Sequence, residues 1–159
     1  MAEFDKELYM CKAIDLQDGI VKGYLEVGRV TKEYCISTEK GWARVNPYSL
    51  CKNTGIKKND VYIYENDLVE YSTAFDKGLA IIEFDEMRCR YMLRFNLDYS
   101  SRGDIDKYNI KVVGNVILSD NDMKRFEDYS KSQSFTKNVE PECRSKAHIS
   151  KKAKEFLPR

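Results

Sequence analysis

The chain is poor in the groups that most often do chemistry. It has a single histidine, His148, so any Ser/His/Asp triad or Cys/His dyad has to use that residue. His148 falls in a basic stretch of the tail, five residues after Cys143, where a solvated surface imidazole is the expectation. No glycine-rich phosphate loop is present. The five cysteines (Cys11, Cys35, Cys51, Cys89 and Cys143) contain no C-x-x-C pair, and with one histidine they make no zinc ligand pattern. An odd number of thiols, most of them in apolar runs, points to a reducing compartment rather than a disulfide framework. These absences argue against an enzyme, and no cofactor or metal is expected.

Long apolar runs are missing too. None approaches the ~18 residues of a membrane-spanning helix, and the N-terminus, with Glu3, Asp5 and Glu7, lacks an apolar signal core. A soluble, intracellular protein is expected. Nor is there an excess of one charge. Lys and Arg number 27 against 26 Asp and Glu, a net charge of +1, whereas a general nucleic-acid binder is usually basic. Residues 1–118 carry 17 basic and 19 acidic side chains, and residues 119–159 carry 10 and 7. Only the tail is mildly positive. No internal repeat or low-complexity tract occurs.

What is present is a succession of short apolar runs broken by turn residues. At 159 residues the chain is long enough for one domain with a core of its own, with or without an appendage. Strands are predicted at Leu8–Ile14 and Ile20–Val27, joined at Asp18-Gly19, and then at Val30–Thr38 and Trp42–Val45. The central block follows. Thr54-Gly55 reads as a turn, Lys57–Asp60 as a polar loop, and Val61–Tyr64 as a half-buried strand. Glu65-Asn66-Asp67 reads as a tight turn, with Asn66 suited to positive φ, before a strand at Leu68–Tyr71.

Leu79–Phe84 and Arg88–Phe95 pair as a hairpin, Asn96–Asn109 reads as a loop, and Ile110–Leu118 is the last strand. At Ser119 the period changes. Ser119 is a good N-cap, and Met123, Phe126 and Ser130 fall at helical spacing beside Tyr129, so a helix is expected over about 120–131. A linker and a Lys-rich second helix over about 146–157 complete the tail.

The central block resembles the YopX family of phage and prophage proteins. The match lies in Thr54-Gly55-Ile56, Asn59-Asp60, Ile63-Tyr64-Glu65-Asn66-Asp67-Leu68-Val69 and Val112-Val113-Gly114-Asn115-Val116, with Gly23-Tyr24-Leu25 earlier. It covers about residues 8–118. Asn66 stands where the family has glycine, a cheap exchange at a left-handed position. The loop after Thr54-Gly55 is one residue short. The resemblance implies a mainly β fold, α+β overall: a small SH3-like, partly open β-barrel over 1–118, with one or two C-terminal helices in a 119–159 extension. It further implies a mobile-element origin and action in the cytoplasm of a host bacterium. It transfers no catalytic residue. Gly55, Asn66, Asp67, Gly114 and Asn115 are expected to be structural turn residues.

Binding residues are therefore sought elsewhere. Arg88, Arg90 and Arg94 form a row on one side of a predicted strand, suited either to an acidic partner or to cross-strand pairing with Glu83. Phe126, Tyr129, Lys151 and Lys152 in the tail either pack on the barrel or face a partner. Glu65 and Asp67 flank a turn; Asp67 is expected to accept turn amides and Glu65 to be solvated. The function expected is non-catalytic: a phage accessory protein that binds and inhibits a host protein, such as a CRISPR-Cas nuclease. The alternative is a small RNA- or DNA-binding barrel. Self-association is possible, and no membrane partner is expected.

Overall fold

The computed structural model describes residues 5–98 and 101–137. After a 3₁₀ turn at Lys6–Tyr9 come β1 (Cys11–Ile14), β2 (Ile20–Val27), β3 (Tyr34–Thr38) and β4 (Gly41–Arg44). A second 3₁₀ turn, Pro47–Ser49, leads to β5 (Cys51–Lys58), β6 (Val61–Tyr64), β7 (Asp67–Ser72) and β8 (Lys77–Asp85). Then follow β9 (Arg90–Arg94), β10 (Arg102–Asp104), a 3₁₀ turn at Ile105–Lys107, β11 (Asn109–Asn115) and helix α1 (Asp120–Lys137).

The strands form two antiparallel sheets, ordered β4-β3-β2-β1-β5-β6 and β10-β9-β8-β7-β11. The mainly β expectation with a C-terminal helix holds, and among the described residues the strands do not close into a barrel. In the first sheet a bridge between Asp15 and Val45 brings the end of β4 back toward the end of β1. That partial closure surrounds a small core of Cys11, Ala13, Ile36 and Val45.

The second sheet is covered on both faces. One face packs Val69, Tyr71, Ala80, Ile82 and Leu93 against Ile63 of β6 and Ile56 of β5. The other packs Leu68, Leu79 and Ile81 under Phe126 of α1. Double coverage explains why Leu79-Ala80-Ile81-Ile82 is apolar without alternation.

Several boundaries differ from the sequence reading. The strand expected from Leu8 starts only at Cys11, because Asp5 caps the preceding 3₁₀ turn by accepting from the Glu7 amide. The strand expected from Val30 starts at Tyr34. Thr54-Gly55 does not end a strand. β5 runs on to Lys58, and Gly55, at φ +81°, sits where its register against β6 shifts between Asn53 and Lys57. The turn proper is Asn59-Asp60, with φ of 54° and 61°, the pair of left-handed residues that a two-residue hairpin favours. The expected loop at 96–109 contains β10 and a 3₁₀ turn. The last strand stops at Asn115 rather than Leu118, and α1 runs on past 131 to Lys137.

Candidate interaction surfaces

The residues of the central motif meet in one buried knot. Tyr64 donates its amide to Asp67 Oδ2 at 2.8 Å, and Asn115 Nδ2 donates to Asp67 Oδ1 at 3.0 Å and to the Glu65 carbonyl at 3.1 Å. Asn115 Oδ1 in turn accepts from the amides of Ile117 and Leu118, both at 3.0 Å. Asn66, at φ 66°, donates its amide to the Ile82 carbonyl and accepts from that of Val116. The turn before β7 and the end of β11 are thus fastened to each other. Gly114 completes the knot: a Cβ there would lie 2.2 Å from Asp122 Oδ2, which accepts the Asn115 amide at 3.0 Å.

This knot is architecture. Burial raises the Asp67 carboxyl, opposed by the bonds from Tyr64 and Asn115. Burial likewise pushes the neighbouring Cys51 thiol up to about 11, so the thiolate, the reactive form, is scarce at neutral pH. Glu65 is not solvated as expected: its carboxylate accepts the Lys52 amide at 2.8 Å and the Tyr91 hydroxyl at 3.0 Å. Among the described residues no group of three His, Cys, Asp or Glu side chains is placed to hold a metal ion.

The arginine row divides. Arg88 lies in the turn before β9, where its Nη1 is 2.7 Å from Asp85 Oδ2 and its amide donates to Asp85 Oδ1 at 3.1 Å. Arg90 pairs with Asp104 of β10. Arg94 is only 7% exposed; its Nε lies 3.2 Å from Glu83 Oε2 and its guanidinium 6.0 Å from the centre of the Phe126 ring. Arg94 makes the cross-strand pair with Glu83, Arg90 reaches the next strand, and Arg88 pairs within its own turn. Arg94 is unavailable to a partner because α1 covers that face. Asp85 is buried, which would raise its carboxyl, but the Arg88 bonds and the Arg102 charge outweigh burial and hold it below the usual range.

Phe126, 0% exposed, is likewise removed from the expected interface, since it fills the core between α1 and the second sheet. Tyr129 is half-buried at the edge of that contact. Lys151, Lys152, His148, Cys143 and the expected second helix lie outside the described residues.

Tyr129 does border an open groove of ≈ 680 Å³ between α1 and the sheet. Its floor is made by two cross-strand rows, Lys111–Glu70–Leu79 and Asn109–Ser72–Lys77. Arg125 of α1 reaches across it to Glu70, at 3.4 Å. The β7–β8 hairpin forms its end. Thr73 Oγ1 accepts the amides of Phe75 and Asp76, and the Thr73 amide donates to the Asp76 carbonyl at 2.7 Å. This bonded tip presents Phe75 with its side chain 100% exposed. Sequence reasoning passed over Phe75, Arg125, Lys77 and Lys111. The available signal was Phe75 itself, a large apolar residue inside a four-residue turn.

A family model described as YopX protein matches residues 4–121. No curated protein and no solved structure matches the chain.

Proposed function

The chain belongs to the YopX family, and from that premise we propose that it is a non-catalytic phage or prophage accessory protein that binds and inhibits a host protein. The target favoured is an enzyme acting on nucleic acid in host defence, such as a CRISPR-Cas nuclease. An inhibitor of this kind works by covering a catalytic or substrate surface and needs complementarity without chemistry of its own.

The observation that carries the reading is Phe75, fully exposed on the hydrogen-bonded tip of the β7–β8 hairpin, whose strand ends Ser72 and Lys77 line the groove of Arg125 and Tyr129. Aromatic and arginine anchors dominate binding energy at protein interfaces, and a tip already ordered loses little entropy on docking. Among the described residues no helix is long and apolar enough to cross a membrane.

A second reading, binding of RNA or DNA, draws on Lys77, Lys111 and Arg125 in the same groove. Against it stand Glu70 in the groove's floor, paired with Arg125, and the net charge of +1.

Capture from a host-cell lysate, with and without nuclease, tests the two. A protein partner that survives nuclease is expected. Phe75→Ala combined with Arg125→Ala should weaken its binding at least about tenfold, or ~1.4 kcal/mol, with the melting temperature unchanged. Recovery of nucleic acid alone, with steep salt dependence, would overturn the proposal in favour of the second reading.

A further inference from the structure

The outward face of the first sheet carries a pocket unlike the groove. Across β2, β3 and β4 the row Leu25–Ile36–Ala43 turns toward the core, and the flanking rows Tyr24–Ser37–Trp42 and Glu26–Cys35–Arg44 turn outward. Trp42 is the only tryptophan of the chain, and it is 68% exposed. An exposed indole is a poor use of the largest apolar side chain unless something covers it. It borders a pocket of ≈ 430 Å³ whose other walls include Val27, Cys35, Glu26 and Glu33.

The polarity of this pocket is one-sided. Two carboxylates line it and no Lys or Arg does. Arg44 reaches Glu33 at 3.0 Å from outside the lining, while Glu26 makes no ion pair among the described residues. An indole face attracts a cation through its ring quadrupole, and tryptophan does so best among the aromatics. A planar guanidinium stacks on such a face while its edge donates to a carboxylate, which an ammonium does less well. The lining comes from the end of β2, the β2–β3 turn and the start of β3, with Trp42 reaching in from β4.

We infer that the Trp42 pocket binds an arginine side chain of a basic peptide segment, held by the indole face and by Glu26. The sign of the site is opposite to that of the groove between α1 and the second sheet, and the two are read independently of each other.

The sole tryptophan makes the test direct. The full chain is titrated with a short arginine-rich peptide while Trp42 emission is followed, beside lysine-rich and glutamate-rich peptides of the same length. A saturable change with the arginine peptide is expected, weakened about tenfold by Glu26→Gln and more weakly matched by the lysine peptide. Trp42→Ala, followed by calorimetry, should abolish binding while circular dichroism stays that of the parent, since the indole lies outside the core. Absence of a saturable change, an equal response to the glutamate peptide, or unaltered affinity in Glu26→Gln would each overturn the site. Equal affinity for the lysine peptide would overturn its assignment to a guanidinium.

Discussion

Asn66 carries a conformational demand that its chemistry meets. At φ 66° a residue with a Cβ is strained, and a β-branched one most of all. Replacing Asn66 with Gly should leave the urea midpoint nearly unchanged, whereas Asn66→Val should cost about 1–2 kcal/mol or more. Equal tolerance of the two would show that the left-handed turn is not what the position requires. The demand was legible because it is local: positive φ depends on one residue and its peptide neighbours.

Asp85 shows the opposite case. Its carboxylate is buried and held by Arg88 three residues on and by Arg102 from β10. Its folded pKa is held below that of an unperturbed aspartate, so its contribution to stability is complete above the unfolded-chain pKa and is lost as pH falls through the folded pKa. Denaturant midpoints measured from pH 5 down to pH 3 should therefore fall less in Asp85→Asn than in the parent. An identical fall in both would remove Asp85 as a source of acid sensitivity. The pair with Arg88 is local, but no local pattern announces the one with Arg102, which lies in what reads as a polar loop.

Helix α1 was legible as a helix at its start. Ser119 Oγ accepts the Asp122 amide at 3.3 Å, as an N-cap should, and Asp120 and Asp122 occupy the first turn. Its packing was not legible from period alone, which left Phe126 facing either the sheet or a partner. Phe126 is in the core with Leu68, Leu79 and Ile81, so Phe126→Ala should destabilise by about 3–5 kcal/mol in urea or thermal unfolding. A loss below ~1 kcal/mol would mean that the helix does not depend on this contact. Strand β9 makes the same point. Alternation placed Tyr91, Leu93 and Phe95 on one face and Arg90, Met92 and Arg94 on the other. That the arginine face is covered as well depends on α1, and that contact spans the sequence from β9 to Phe126. β5 failed for a different reason: a glycine bulge inside a strand looks, residue by residue, like a turn between two strands.

Over the whole molecule, three layers stand in place of a closed barrel: the first sheet, the doubly covered second sheet and α1. Among its open surfaces are two of opposite polarity, the groove between α1 and the second sheet and the pocket of Trp42. The loss of partner binding predicted for Phe75→Ala with Arg125→Ala belongs to this scale, because it tests a surface assembled from two strands, a hairpin tip and a helix. Residue types, spacing and turn chemistry suffice for the mainly β class, the resemblance in the central motif, the left-handed turn at Asn66 and the start of α1. Each of these rests on interactions within a few residues. The pairing of Arg90 with Asp104, the burial of Phe126 and Arg94, and the joining of Asp67 to Asn115 rest on contacts between separate segments of the chain. The same holds for both open surfaces. A side chain's exposure depends on what packs over it, and only the assembled sheets and helix determine that.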